Sequence, residues 1–293
     1  MSVELETVIK QLCEPIPVSQ FNKRNLEEEF EILRYLSSRD KAMSNLATRS
    51  KYKALNRYSD VLAFKHNIVK LDNEELSEHN YINANYVDNH LTGKKGDNLI
   101  LTQGPLVNTT DHFWQMVDKE NSEMIICIIE KNKFGMKCHK YWPDKKMDTK
   151  NHVINTKPQE DNSLFIRRMI ELKSLKSDKD LAIDHYHFYN WVDFSTLSEK
   201  DTEEFLQFIK DMYKKKQESK SPIVIHCSAG IGRSGTLAAV FNIYDHWVMS
   251  KEKKQEFKVS IFDVVRVLRT QRFGAVQTFQ QYRFIYSMVK KFK

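Results

Sequence analysis

The sequence sets His226-Cys227-Ser228-Ala229-Gly230-Ile231-Gly232-Arg233-Ser234-Gly235 between an apolar run, Pro222 to His226, and a helix-like run from Thr236. A cysteine and an arginine bracket Ser228 to Gly232, a stretch rich in Ala and Gly. Small residues there let consecutive backbone N–H groups turn inward and form an anion-binding nest. A helix beginning near Ser234 adds the positive end of its dipole. A thiol in such a field ionises readily, because thiolate pKa values fall to roughly 3.5–7.5 beside helix N-termini and cations. Arg233 offers a planar fork that can hold a phosphate at two points. The segment therefore reads as a phosphate cradle, with Ser228, Ala229, Gly230, Ile231 and Gly232 as its wall and Cys227 as a nucleophile at its floor. Two blander readings explain less. A buried cysteine after a strand is ordinarily a small core residue, which leaves Arg233 unexplained. Gly230 to Gly235 also fits G-x-G-x-x-G between a strand and a helix. A dinucleotide fold opens with that motif, however, and here only helix-like sequence follows.

The ten residues resemble the signature H-C-x-x-G-x-x-R-[S/T]-G of the cysteine-based protein tyrosine phosphatases, with every specified position present. Hydrolysis of an aryl phosphate needs a nucleophile, an anion clamp and a proton for the leaving phenolate, then a base to activate water. One carboxylic acid can serve both proton roles. Tyr141-Trp142-Pro143-Asp144 contains the letters of the family's mobile acid loop, but Cys138 to Pro143 fits an upstream family stretch, Cys-x-x-Tyr-Trp-Pro, which makes Asp144 a surface residue. Trp191-Val192-Asp193-Phe194 follows His185-Tyr186-His187-Phe188-Tyr189, which resembles the strand before that loop. The resemblance thus assigns the acid and base to Asp193.

Further matches extend the resemblance over about residues 24–292. Asn56 to Val61 is similar to the phosphotyrosine-recognition loop, which implies that Tyr58 stacks on the substrate ring and Asp60 takes a substrate backbone N–H. Tyr81 to Tyr86 and Thr102 to Leu106 match core stretches. The resemblance further implies that Glu130 braces Arg233, Lys137 and Trp191 support the mobile loop, and Gln277 positions the attacking water with Gln281 beside it. Ser234 is expected to hydrogen-bond the sulfur and help it leave, and His226 to help depress the thiol pKa. His185 and His187 share a strand face, but no third ligand converges with them, so no metal is expected; no cofactor is expected either.

The composition is that of an ordinary globular chain of 293 residues. The formal net charge is +7, which suits an anionic substrate. The lysines lie in short clusters typical of solvated helix faces, with no nucleic-acid motif, so no nucleic-acid partner is expected. Four cysteines without a C-x-x-C pair imply neither a disulfide framework nor zinc. Met124 to Ile129 is the longest apolar run, too short to span a bilayer, and the N-terminus lacks a signal-peptide core. These features lead to the expectation of a cytoplasmic, monomeric protein without stable membrane insertion, and the resemblance implies that it acts on phosphotyrosine-containing proteins.

The elements that must carry these residues follow from periodicity. Helices are expected before Glu14, over 24–36, and over 111–119, 201–216, 236–249, 261–269 and 278–290. Strands or extended segments are expected over 61–69, 80–87, 124–129, 165–172, 183–189 and 222–226. Strands in the middle and helices at the end give an α/β (α+β) fold. The resemblance makes it a single phosphatase domain with a highly twisted mixed sheet flanked by helices, residues 24–292, after an N-terminal helical extension, residues 1–23.

Several positions depart from the family pattern. Val192 replaces a proline of the mobile loop, Ser195 and Leu197 replace a glycine and a second proline, and Leu181, Leu55 and Ile68 replace basic residues. Proline fixes φ and glycine permits positive φ, so loop closure is expected to differ. This divergence is similar to that of the phosphatases carried by parasitoid-wasp bracoviruses, which would place the protein in an infected host cell as a viral effector on signalling. Three readings follow: a phosphotyrosine phosphatase, a phosphotyrosine-binding pseudophosphatase or substrate trap with weak turnover, and a dual-specificity hydrolase, against which the Tyr58 loop argues.

Overall fold

The computed structural model describes residues 3–40, 50–72, 76–93, 99–177, 179–193 and 196–292. The chain opens with α1 (Val3–Cys13), β1 (Ile16–Pro17) and α2 (Leu26–Asp40), then β2 (Ile68–Lys70), β3 (Tyr81–Val87), β4 (Leu99–Thr102) and α3 (Thr110–Lys119). There follow β5 (Met124–Ile128), β6 (Lys146–Asp148), β7 (His152–Asp161), β8 (Phe165–Ser174), β9 (Asp180–Phe188) and α4 (Glu199–Glu218). The C-terminal part holds β10 (Ile223–His226), α5 (Arg233–Glu252), β11 (Lys258–Val259), α6 (Ile261–Gln271) and α7 (Phe279–Val289).

Nine of the described strands form one mixed sheet in the order β2-β3-β4-β10-β5-β9-β8-β7-β6. The central four, β4, β10, β5 and β9, are parallel, with His226 level with Thr102 on one side and Cys127 on the other. The flanking strands are antiparallel. The architecture is therefore the mixed α/β sheet flanked by helices that the sequence led one to expect. Both faces of its centre are covered, which explains why β5 reads as a continuous apolar run. Ile126 and Ile128 face the cluster built with α4 to α7, and Ile125 and Cys127 face the one built with α3.

Helix starts are set by local chemistry. Ser198 Oγ accepts from the Asp201 N–H at 3.3 Å to cap α4, and Ser260 Oγ accepts from the Asp263 N–H at 2.9 Å to cap α6. In α4, Phe205, Phe208, Ile209 and Met212 turn into the core as their spacing requires. The structure differs from expectation at several elements: β4, β6 and the short β1 and β11 lie outside the expected strands. β7 had no sequence signal, because it is polar along its outer half and owes its form to the long ladder with β8. Of the 61–69 stretch only Ile68 and Val69 join the sheet, in β2, which runs on to Lys70. α5 starts at Arg233 rather than at Thr236. The N-terminal extension lies on the same core: β1 pairs with β11, and Ile9, Leu12 and Ile16 pack against the α4–α7 cluster. Leu55 and Ile68 are buried in a small cluster with Tyr52, Leu62, Ala63 and Tyr81, and Leu181 is buried in the cluster of α3, so these departures replace charge with packing.

Candidate active site

Four of the sequence-selected segments leave the carboxyl ends of the four parallel strands, where loops of an open α/β sheet converge. Gln103-Gly104 follows β4, Glu130 follows β5, Trp191 to Asp193 follows β9 and Cys227 follows β10. The segments around Tyr58 and Gln277 close the remaining sides.

The 227–232 loop has a complete carbonyl account. Cys227 O faces His226 Nδ1 at 3.2 Å, and Ser228 O accepts from the Gly104 N–H at 2.8 Å. Ala229 O and Gly230 O accept from the Arg272 guanidinium at 3.0 and 3.3 Å. Ile231 O accepts from the Val276 N–H at 3.0 Å, and Gly232 O from the Thr236 N–H at 2.9 Å. With every carbonyl drawn outward, the amides turn to the inside of the loop, the arrangement an anion needs. Gly230 has φ +72°, and a Cβ there would lie 2.1 Å from Thr102 O, so glycine alone fits.

Arg272 was invisible to sequence reasoning. It is fully buried, and it also donates to Asn83 Oδ1 at 2.7 Å and Asn85 Oδ1 at 2.9 Å. Its sequence sign is only an arginine in the turn after α6. The alternating Asn83 and Asn85 on one strand face were the better clue, since two buried amides demand a partner. Arg57 was missed too. Its guanidinium ties the Tyr58 segment to Gly104 O, Pro105 O and Met136 O at 3.0, 2.6 and 3.0 Å.

Cys227 is 3 % exposed. Burial pushes its thiol up, but the Arg233 charge, the Ser234 hydroxyl and N–H and the Gly230 N–H outweigh it, and the pKa lies below the ordinary thiol value. Cys127 and Cys138 carry the contrast, since burial drives both of their thiols up.

Arg233 is fully buried at the start of α5. Nη1 donates to Glu130 Oε2 at 2.7 Å and to Trp191 O at 2.8 Å. Nε and Nη2 are buried without a hydrogen-bond acceptor among the described residues. A buried guanidinium edge with Nε and Nη2 free of hydrogen bonds, Nη2 lying in ion-pair range of Asp193 Oδ1, has the fork geometry that matches two oxygens of a phosphate. Glu130 Oε1 also accepts from the Asp193 N–H at 3.2 Å, so one carboxylate joins the segment holding Arg233 to the segment holding Asp193. Burial would raise the Glu130 carboxyl, but the Arg233 bond and charge win and hold it below the usual range. Asp193 Oδ1 lies 3.2 Å from Arg233 Nη2, and Oδ2 lies 3.4 Å from Lys137 Nζ. Trp191 is buried, its ring against Phe205 and Phe284. Val192 is 58 % exposed, and Leu197 is buried. Ser195 lies outside the described residues. Asp144 stands on the surface, paired with Lys140 at 2.5 Å, while the neighbouring Trp142 packs on His185.

Ser228 Oγ donates its one proton to Lys137 O at 2.8 Å, so the Tyr58 hydroxyl, 2.8 Å away, is the donor to Ser228 Oγ. Tyr58 thereby stands against the cradle wall, and Asp60 is exposed beside it. Gln277 and Gln281 pack on Gly232, where an added Cβ would come within 3.1 Å of Gln277 Oε1 and Gln281 Nε2. Gln281 Oε1 accepts from the Gln277 and Thr278 N–H groups at 2.9 and 3.1 Å, in a capping box with Thr278 that starts α7.

His226 requires a correction of role. Burial lowers its pKa to about 3, so the ring is neutral and brings no charge to the thiol. Nδ1 faces Cys227 O and carries the proton; Nε2 then accepts from the Tyr141 hydroxyl at 2.7 Å, which in turn accepts from His185 Nε2 at 2.9 Å. The chain orients the cysteine's carbonyl. His187 Nε2 bonds Ile129 O at 2.8 Å. Among the described residues no cluster of His, Cys, Asp or Glu could hold a metal, and no helix is long and apolar enough to cross a membrane.

Comparison with known proteins agrees with this geometry. The family model described as protein-tyrosine phosphatase matches residues 52–291. The chain is 37 % identical over 218 residues to Tyrosine-protein phosphatase 2 of Dictyostelium discoideum, covering 72 % of this chain and 54 % of that protein. It is 34 % identical over 246 residues to the human Tyrosine-protein phosphatase non-receptor type 2, covering 80 % and 55 %. It is 32 % identical over 241 residues to Tyrosine-protein phosphatase 69D of Drosophila melanogaster, covering 79 % and 16 %. The chain thus spans about half the length of the first two relatives and far less of the third. A match over most of its length, around a cysteine–arginine cradle, places the chain in the protein-tyrosine phosphatase family.

Proposed function

We propose that this protein hydrolyses phosphotyrosine in proteins through a cysteinyl-phosphate. The observation that carries the reading is the buried Arg233 fork, whose Nε has no hydrogen-bond acceptor among the described residues and whose Nη2 faces the Asp193 carboxylate at 3.2 Å, beside a thiol whose pKa is lowered. Three non-bridging phosphoryl oxygens sit on the 228–232 amides and the Arg233 fork. The Cys227 sulfur attacks phosphorus; the S–P bond forms and the P–O bond to the phenol breaks. Protonated Asp193 gives its proton to the leaving oxygen. A water held by Gln277 then attacks phosphorus, Asp193 takes its proton, the S–P bond breaks, and phosphate and thiolate remain. Ser234 stabilises the departing sulfur. Tyr58 stacks on the substrate ring and sets the depth that excludes phosphoserine, while Asp60 takes a backbone N–H of the substrate. By the resemblance set out above, the proposed setting is the cytoplasm of a host cell, with a monomeric enzyme of bracoviral type acting on phosphotyrosine signalling proteins.

The test is steady-state hydrolysis of a phosphotyrosine peptide and its phosphoserine counterpart by wild type, Cys227→Ser, Asp193→Ala and Asp144→Ala. Turnover of the phosphotyrosine peptide alone is expected. Cys227→Ser is expected to be dead, Asp193→Ala to lose about 10²- to 10⁴-fold, and Asp144→Ala to stay within about twofold. Binding of the phosphotyrosine peptide by wild type without turnover would instead make this a binding module.

A further inference from the structure

Val276, next to Gln277, has φ +60° although it is β-branched and fully buried. Such a residue holds a left-handed backbone only where its surroundings impose it. Three groups do so. The Val276 N–H donates to Ile231 O of the phosphate loop at 3.0 Å. Arg269 Nη2 donates to Val276 O at 2.7 Å, and Arg269 Nε donates to Ala275 O at 2.9 Å.

Arg269 is in turn seated on α2. Its Nη1 donates to Ser37 Oγ at 3.2 Å, and its guanidinium lies 5.3 Å from the centre of the Phe30 ring. The same stretch of α2 grips α7. Phe30 packs on Phe279 and Tyr282, and Glu29 accepts from the Tyr282 hydroxyl and, at 2.7 Å, from the Tyr286 hydroxyl. Gln277 is thus pinned on its N-terminal side by the Arg269-held Val276 and on its C-terminal side by the Gln281 cap of α7.

We propose that Arg269, seated on α2, is a positioning residue for the second half of the reaction: it holds Val276 in its left-handed backbone and so aims Gln277 at the attacking water. This rests on the phosphatase reading above. Formation of the cysteinyl-phosphate, with S–P forming and aryl O–P breaking, does not use Gln277. Its hydrolysis does: water oxygen bonds to phosphorus, S–P breaks and Asp193 takes the proton. A water no longer held in place competes on poorer terms with another hydroxyl nucleophile.

The experiment compares wild type, Arg269→Lys and Ser37→Ala on p-nitrophenyl phosphate. It follows the p-nitrophenol burst, the steady-state rate, and the ratio of p-nitrophenol to inorganic phosphate in aqueous methanol. In Arg269→Lys the burst rate is expected to hold while steady-state turnover falls about 10- to 100-fold, the cost of a misplaced group. The product ratio in methanol is expected to rise several-fold, because methanol captures the phosphoryl group. Ser37→Ala, which removes only the seat of Nη1, is expected to move the ratio in the same direction by less. An unchanged product ratio in Ser37→Ala and in folded Arg269→Lys overturns the proposal, whatever happens to overall activity, because a merely structural arginine leaves partitioning alone. Absence of any p-nitrophenol release from wild type defeats the phosphatase reading instead.

Discussion

Glu130→Gln tests whether one carboxylate couples the phosphate loop to the acid loop. In the native site Oε2 takes an Arg233 N–H at 2.7 Å and Oε1 takes the Asp193 N–H at 3.2 Å. A glutamine has one oxygen and one NH₂, so it satisfies either arginine or loop and turns a donor on the other. A hydrogen bond to a charged group contributes about 1.5–3 kcal/mol. At about 1.36 kcal/mol per tenfold, its loss from the transition state lowers kcat/KM roughly 10- to 150-fold. The thiol tells this loss of alignment apart from a simple charge effect. Removing a negative charge beside Arg233 leaves the field at Cys227 more positive, so the thiol pKa moves down or stays. The assay is kcat/KM on p-nitrophenyl phosphate and on a phosphotyrosine peptide, with a thermal melt and the rate of Cys227 alkylation by iodoacetamide. A loss below about threefold in a natively melting variant would refute the coupling, as would a slowed alkylation.

Two further predictions follow from the same geometry. Gly230→Ala puts a methyl group 2.1 Å from Thr102 O and a side chain at φ +72°, which costs about 1–2 kcal/mol for the backbone alone, and displaces the loop. A folded protein that has lost vanadate binding and at least about 100-fold in turnover is expected; near-normal binding by calorimetry contradicts the close approach. For the cysteines, one equivalent of iodoacetamide at pH 7 is expected to label Cys227, since its pKa lies below 9.0 while those of Cys13, Cys127 and Cys138 are raised. A depressed acid contributes stability that is present above its unfolded pKa and is lost as pH falls through its folded one. The thiolate is the form that is alkylated, so labelling should rise with pH through a midpoint below 9.0. Peptide mass spectrometry showing Cys13 labelled first would contradict this.

How much of the site was legible depends on how far along the chain each contact reaches. The cradle is a run of consecutive residues, so its glycines, its cysteine and its arginine announce themselves together. The preference for Asp193 over Asp144 came from the flanking stretches, and the structure sets Asp193 against Arg233 and leaves Asp144 on the surface with Lys140. Helices with a strong apolar face, such as α4 and α7, were readable, whereas β7 was not, because a half-polar strand is defined by its partner.

What the sequence by itself determined was the chemistry available: a thiol, a fork and a small-residue nest in one window, in a chain whose buried strands and amphipathic helices specify an α/β fold. Tertiary structure alone decided how those groups are held. The outward carbonyls depend on Arg272 and on Asn83, 189 residues away, and the aim of Arg233 depends on Glu130, 103 residues away. The seat of α7 depends on Glu29, 253 residues from Tyr282. Contacts of that span leave no periodic trace, because a buried guanidinium or carboxylate is stabilised by whatever partners the folded chain delivers to it.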